Sequence, residues 1–577
     1  MTIKKNSNFF SKTSIQILII LSVGFFLYSF MLSAPFKILD DEISILNNTQ
    51  IESFKNIFSI FKSSFFGADR YYRPFVTLSF AIERQLFGLN SFFFNLTNLI
   101  LHLCISLLIF RVCSRVLRNE FLGFLVGILF VIHPINAEAV SHIAGRSILL
   151  SAFFEWSSFI LYLIFREKKK ASCYLMSLGC FCFALLSKES SFMFPAIIFV
   201  YEYVFHRMNK ENILKKIKPV LGFFLISVLY LFLRKDLGIV STPHSFALKD
   251  TILGISAFIV GFFDYLRILI FPCDLYFERI FSVQQTLLVP QFLLILLATV
   301  ISVFVFIKLR KHIDKRIVFF SAFTFITFFP VCQIIPLRLQ PGYIFFPNHF
   351  WYVPSVGIFS LLAILILFLH KKFSGLILKI IIIPWLIVLG ALTVQENIYA
   401  TSPIASQEKA IFYQPHHQRA HAILGLYWAR QKDFKQAEYH FKEVLKVDPG
   451  DARARISLGK TLIDQDQYWK GLSEYENVAY SQDFKDILDG NIREAYATLE
   501  NKYRGMLLED PKNAAIYFSL GVVYSKERKF LKAIEMYKET LKLNPEFENA
   551  HQNLCFAYYM IGEEKKAQIC REKGILF

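Results

Sequence analysis

The sequence predicts an all-α chain in two parts, a polytopic membrane helical domain followed by a helical-repeat solenoid. Three observations predict it. The 577 residues are 55% hydrophobic and 17% aromatic, with a mean hydropathy of +0.44, more apolar than ordinary soluble domains. Apolar runs long enough to cross the ~30 Å hydrocarbon core recur up to residue 395. Beyond it charged residues return, no run reaches spanning length, and the sequence repeats itself every 34 residues. The predicted division is therefore 1–395 and 396–577.

In the first part about eleven spans are read, at 14–35, 92–111, 120–135, 147–165, 171–187, 190–206, 218–233, 287–308, 317–336, 350–369 and 375–395. With the N-terminus inside, this count leaves the basic loop clusters on the cytoplasmic side. They include Arg111, Arg115 and Arg118, then Lys168, Lys169 and Lys170, then Lys371 and Lys372. That is the positive-inside pattern. The formal charge of +18 is thus an orientation signal. The soluble part carries no basic stripe with interleaved aromatics, which excludes nucleic acid as a partner.

The first span reads as an uncleaved signal anchor, because its apolar stretch is too long for a signal-peptide core. Thr251–Phe271 would be a twelfth span, but crossing there would carry Lys308–Arg316 outside. With Asp264, Arg267 and a terminal Pro272, it is predicted to be partly inserted or re-entrant, its backbone buried in protein or lining a cavity. This topology puts the loop 39–90 and the C-terminal domain outside. In that loop Phe54, Ile57, Phe58 and Phe61 recur at helical spacing and predict an amphipathic helix on the membrane surface. The nine cysteines form no CxxC pair and no metal-ligand spacing with histidine. Neither a metal nor a cofactor is expected.

The repeats are predicted near 418–451, 452–485, 514–547 and 548–577, with a degenerate region at 480–511. Leu424–Gly425, Leu458–Gly459, Leu520–Gly521 and Leu554–Cys555 occupy equivalent positions, and so do Ala437, Gly471, Ala533 and Ala567. Small residues there let paired helices approach closely. This is the tetratricopeptide pattern, which by itself implies a protein-binding surface. "QEKAIFYQP" looks like half a repeat joining the solenoid to the last span.

Polar residues then converge on the outer side. Asp40 and Asp41 lie in "FKILDDEISILNN", Arg73 in "RYYRPF", and His133, Glu138 and Arg146 in "HPINAEAVSHIAGR". Lys188 and Glu189 lie in "SKES", and His349 in "FFPNHFWYVPS". Carboxylates mixed with strong cations at one membrane face make a site for a lipid-linked phosphate. For several residues a plainer role stands beside this one. Lys188–Glu189 would also suit the wet tip of a helical hairpin, and His133–Pro134 a helix end. Glu138 and Arg146 would suit an ion pair. Asn95, Asn98 and His102 lie on one face of the second span, where polar side chains also glue membrane helices together. Glu155 lies mid-span, with His102 as a partner to consider.

These motifs, in this order, resemble the transmembrane and tetratricopeptide-repeat O-mannosyltransferases and their bacterial relatives, within the GT-C glycosyltransferase fold. "DDEISILNN", "YRPF", "FVIHPINAEAVSHIAGR" and "LLSKESS" all match, and the repeat array follows. One departure is "NHFWYVPS", where Asn348 and His349 replace the family's acidic residue and arginine. The resemblance implies an inverting membrane glycosyltransferase with a polyprenyl-phosphate-linked sugar, mannose or a similar hexose, as donor. Protein Ser/Thr hydroxyls would be the acceptor, presented on the repeats outside a bacterial inner membrane. Asp40 or Asp41 would be the base. Arg73, His102, His133, Glu138, Arg146, Lys188, Glu189 and His349 would bind donor phosphate and sugar. A GT-C enzyme acting on a lipid or surface glycan, and a non-catalytic membrane-anchored scaffold, remain as alternatives.

Overall fold

The computed structural model describes residues 12–65, 71–206, 213–239, 259, 261–276, 278–282, 308, 313–331, 343–478 and 484–574. Two compact units result, Met1–Pro415 and His416–Phe577.

The first unit is a helical bundle. Its helices are α1 (Lys12–Tyr28), α2 (Pro74–Phe87), α3 (Ser91–Leu117), α4 (Glu120–Ile132), α5 (Arg146–Lys168), α6 (Ala171–Leu185), α7 (Phe194–Phe205), α8 (Ile213–Asp236), α9 (Lys315–Phe328), α10 (Ser355–Lys372), α11 (Gly375–Thr401) and α12 (Ala405–Tyr413). Local chemistry sets their ends. Asn90 caps α3 by accepting from Phe92 N, and Asn119 caps α4 by accepting from Leu122 N. Pro74 opens α2, where its missing N–H costs nothing. Pro134 cannot continue α4, so the chain bends by 56° into Pro134–Ser141.

Among the described residues, six helical segments are long and apolar enough to cross a membrane: Lys12–Ser33, Ser91–Leu117, Ile143–Lys168, Ile217–Asp236, Ser355–Lys372 and Leu376–Thr401, or seven with the bent pair. The predicted spans 171–187, 190–206 and 317–336 are helices as well, but of only 15, 12 and 14 residues. At 1.5 Å per residue each is shorter than the ~30 Å core. The predicted span 287–308 lies outside the described residues except for Lys308. So do residues 251–258 and 260 of the predicted re-entrant helix, and the basic residues Lys4, Lys5, Lys210, Arg310 and Lys311.

The described helical part of that segment, 261–270, buries one face in protein and leaves Arg267 and Ile270 exposed. Phe262 stacks on Phe325 at 5.2 Å and packs against Trp351. Its last carbonyls are satisfied from outside: Leu269 O accepts from His133 Nε2 at 3.2 Å and Ile270 O from Trp385 Nε1 at 2.8 Å. Among the described residues one antiparallel strand pair interrupts the helical pattern, β1 (Arg279–Ser282) with β2 (Tyr343–Phe346), Arg279 opposite Phe346. The predicted surface helix of the outer loop is a single turn, Ile57–Ile60, preceded by a tight turn that Ser53 caps through Lys55 N. Phe58 nevertheless points outward, 84% exposed.

"QEKAIFYQP" forms α12 and closes the first unit rather than opening the solenoid. Gln414 exchanges two hydrogen bonds with Ile280 of β1, Tyr413 stacks on Tyr276 at 5.2 Å, and Lys409 pairs with Glu396 at 2.5 Å. The compact unit therefore runs past residue 395, to Pro415.

The second unit is a tetratricopeptide array of helical hairpins, α13–α14 (Gln418–Arg430, Phe434–Val447), α15–α16 (Ala452–Asp464, Tyr468–Glu476), α18–α19 (Ala514–Lys526, Phe530–Leu543) and α20–α21 (Glu548–Met560, Glu564–Gly574). The repeat glycines sit where only hydrogen fits. A Cβ on Gly521 would lie 2.6 Å from Tyr537, and one on Gly459 2.6 Å from Tyr475. The degenerate region holds one long helix, α17 (Lys485–Glu509), whose Leu488, Tyr496 and Leu499 join the apolar core of α16. Cys555 and Cys570 form a disulfide between the last two helices.

Candidate functional site

The acid loop is held by an unusual backbone. Leu39 has φ +75°, a left-handed conformation that strains a bulky side chain. A wide π-type turn, Glu42–Leu46, follows directly. Between them the two aspartates separate. Asp41 is fully buried. Its Oδ2 accepts from Lys37 N at 2.7 Å and its Oδ1 from Ala144 N at 3.0 Å. Burial pushes its pKa up to about 7, against the two amides and the Lys37 ammonium, which favour the charge. Asp41 therefore staples the loop to the turn before α5. Asp40 is half-buried, its carbonyl accepts from Ser44 Oγ at 2.7 Å, and its carboxylate acts electrostatically on His142.

His142 belongs to a small, solvent-open cleft lined also by Lys37, Glu138, Asn348, Glu396 and Lys409. Glu138 Oε1 meets His349 Nδ1 at 2.6 Å. Asn348 holds Tyr276 O at 3.0 Å. Lys37 reaches the carbonyl of Ala400 through its ammonium. Burial lowers the pKa of Lys37 to about 8, with Asp41 opposing. Burial, reinforced by the Lys37 charge, lowers that of His142 to about 4.

A second cluster lies at the same end of α5. Arg73 forks onto Glu189, Nη2 to Oε2 at 2.9 Å and Nε to Oε2 at 3.1 Å, and stacks over Tyr71 at 4.5 Å. Tyr72 N donates to the other Glu189 oxygen at 3.1 Å. Arg73 Nη1 also reaches Ser147, three residues beyond the amide that holds Asp41. Lys188 stands beside this pair, and its ammonium forms no hydrogen bond or ion pair among the described residues. Burial and the Arg73 charge hold its pKa down at about 7.

Three residues assigned to the donor are sealed elsewhere. Arg146 is fully buried and spends its guanidinium on Glu83 (3.0 Å), Asn98 Oδ1 (2.5 Å), Phe94 O (2.8 Å) and Ser79 (3.3 Å). It locks α2, α3 and α5 together and has no face for a phosphate. It does not pair with Glu138. His133 caps the Pro134–Asn136 turn, Nδ1 accepting from Ile135 N at 3.1 Å while Nε2 donates to Leu269 O. His102 is buried against Tyr352 OH at 2.8 Å, and Asn95 and Asn98 hold Ala34 and Val140 carbonyls, so this face of α3 is helix glue. Glu155 faces Ser191 and Lys188, not His102.

Lys37, His142, Glu396 and Lys409 were missed in the sequence. The first two stand inside motifs already singled out. The other two carry no local signal, because their ion pair closes only when α11 turns into α12.

Fold and site define a polytopic helical membrane protein with a tetratricopeptide unit, whose first unit gathers an acid loop, a mixed-charge cleft and a cationic cluster at one end. The relatives then give the resemblance its footing. A protein O-mannosyl-transferase of Caenorhabditis elegans is 24% identical over 452 residues, 75% of this chain and 63% of the relative. The protein O-mannosyl-transferase TMTC2 of Mus musculus is 30% identical over 209 residues, 34% of this chain and 25% of the relative. TMTC1 of Homo sapiens, named likewise, is 29% identical over 192 residues, 30% and 22%. The chain thus matches less than two thirds of the length of each of these curated relatives. Its homologues are the proteins that its motifs resemble. No family model matches. Among solved structures, a crystal structure of MamA is 23% identical and covers 28% of this chain and 92% of that one, with a TM-score of 0.15. YrrB, titled a TPR protein with an unusual peptide-binding site, is 15% identical over 29% and 90%, also at 0.15.

Proposed function

We propose that the chain is a membrane glycosyltransferase that moves mannose or a similar hexose from a polyprenyl-phosphate carrier to Ser/Thr hydroxyls of proteins. The observation that carries the reading is the division of labour between the two aspartates. Both Asp41 oxygens accept from backbone amides, whereas the Asp40 carboxylate acts on His142 of the cleft, and the base is assigned to Asp40.

In this reaction Asp40 takes the hydroxyl proton as the acceptor oxygen attacks the anomeric carbon. The new C–O bond forms on one face while the C–O bond to phosphate breaks on the other, so the sugar inverts. The carrier leaves as polyprenyl phosphate with the electron pair. Its growing charge is met by Lys188 and by Arg73, which Glu189 holds in place. The Glu138–His349 pair in the cleft would hold sugar hydroxyls.

The same end is assigned to the extracytoplasmic face. The positive-inside pattern supports this, and so does the Cys555–Cys570 disulfide of the repeat unit, a bond that persists in oxidising compartments. In a bacterium this would be the periplasmic side of the inner membrane, with the repeats recruiting the acceptor protein. The test is a comparison of glycoproteomes from a deletion strain complemented with wild type, Asp40→Asn or an empty vector. Loss of one set of hexose-modified peptides in both the second and third is expected. No change in any strain would end the protein-acceptor reading.

A further inference from the structure

The charges around Arg73 are not complete in the outer loops. The last two turns of α8 bring two more polar groups to them. The ring of Tyr230 lies 6.3 Å from that of Tyr72, whose amide holds Glu189. The Arg234 guanidinium lies 5.9 Å from the Tyr230 ring centre. Just beyond, Gly238 at φ +70° and the bond from Ile239 N to Arg234 O at 2.9 Å close the helix, which fixes where Arg234 starts.

Tyr230 is only 5% exposed, yet its hydroxyl has no hydrogen-bond partner among the described residues. A buried phenol is normally satisfied, and one that is not needs a reason. Its surroundings supply one, since the charges of Glu189, Arg234 and Arg73 all act on it. Lys188 joins the same group through Arg73, Glu189 and Glu155. Among the described residues the cluster brings together three cations (Arg73, Lys188, Arg234) and two carboxylates (Glu155, Glu189). A sugar on a polyprenyl phosphate is a phosphodiester with a single negative charge.

We propose that Tyr230 and Arg234, at the end of α8, complete with Arg73 and Lys188 a binding site for the singly charged phosphodiester of the donor. The assignment rests on the glycosyltransferase reading. Tyr230 donates its hydroxyl to one phosphate oxygen, and Arg234 faces the anion across the Tyr230 ring. The chemistry is shared by a lipid-linked and a free phosphate, and α8, with Leu229, Leu231 and Phe232 exposed along its outer face, favours the lipid-linked one.

The test measures binding to the full chain in lipid nanodiscs by native mass spectrometry, with polyprenyl phosphate as probe and polyprenol and inorganic phosphate as the other arms. Wild type, Tyr230→Phe and Arg234→Gln are compared after matched gel-filtration profiles confirm folding. Polyprenyl phosphate should bind about tenfold more weakly to Arg234→Gln and several-fold more weakly to Tyr230→Phe. Polyprenol, which lacks the anion, should bind all three equally. Wild-type binding that neither substitution weakens overturns this assignment and leaves the glycosyltransferase reading standing. A wild type that binds no polyprenyl phosphate overturns both. Inorganic phosphate competing as well as the lipid would overturn the lipid-linked source.

Discussion

Replacing Arg146 by Met should unfold the protein rather than merely slow it. Arg146 is fully buried, as is most of Glu83, and they meet at 3.0 Å. Removing the guanidinium leaves a carboxylate in a dry site, which costs about 3–5 kcal/mol. It also strips donors from Asn98 Oδ1 and Phe94 O, for about 1–3 kcal/mol each where no water enters. Even the lower end is a large share of a stability of about 5–15 kcal/mol. At roughly 2 °C per kcal/mol, the apparent Tm should fall by at least about 6 °C. Detergent-solubilised protein followed by fluorescence-detected size-exclusion after heating reads this directly. Adding Glu83→Gln removes the stranded charge and should recover part of the loss, about 2–3 kcal/mol. A conservative Lys at 146 keeps the charge but not the fork and should fall between. The reasoning fails if Arg146→Met melts like wild type and loses only donor binding, for then the guanidinium faces the phosphate after all.

Asp40→Asn should keep the fold and reduce sugar transfer to peptide by about 10²–10⁴-fold, measured with radiolabelled donor. Asp41→Asn should cost about 1–3 kcal/mol of stability, because an amide cannot accept from Lys37 N and Ala144 N with both its atoms. The same aspartate sets a pH trend. Its folded pKa of about 7 lies above its ordinary 3.8, so the folded state holds the extra proton and stability falls as pH rises from about 4 to 7. Melts across that range should show this slope in wild type and lose it in Asp41→Asn. For Lys188, lowered to about 7 from 10.5, donor affinity should fall as pH rises above 7 and the ammonium discharges. Lys188→Arg, which stays charged, should flatten that fall in a binding titration. In the repeats, Gly521→Ala must push Tyr537 aside from 2.6 Å and should make α18–α19 the first site of limited proteolysis.

Much of this protein is legible along the chain, because its strongest signals are local. A span needs only consecutive apolar residues, and a repeat needs only the same small residue every 34 positions. The helices at 14–35, 92–111, 147–165 and 350–369 and the glycine–alanine seams of the solenoid therefore appear where periodicity puts them. The sequence alone also brought Asp40, Asp41, Arg73, Lys188 and Glu189 to one end of the bundle, through alternation of spans. What it could not decide was which side chains face solvent there. Arg146 and Arg73 read alike in sequence, yet one is spent entirely inside three helices and the other forks onto Glu189 near the surface. His133 and His349 read alike, yet one caps a turn and the other meets Glu138. Asp40 and Asp41 are neighbours, and the amides of Lys37 and of Ala144, the latter 103 residues further on, set Asp41 apart. Burial and hydrogen-bond completion are properties of the packed chain. The physical cause is that desolvation and partner geometry depend on residues far apart in sequence. Tertiary structure therefore separated ten polar residues into a buried staple at Asp41, a fork between Arg73 and Glu189, a pair between Glu138 and His349 and a set of structural ties, and the proposed base and clamp rest on that separation.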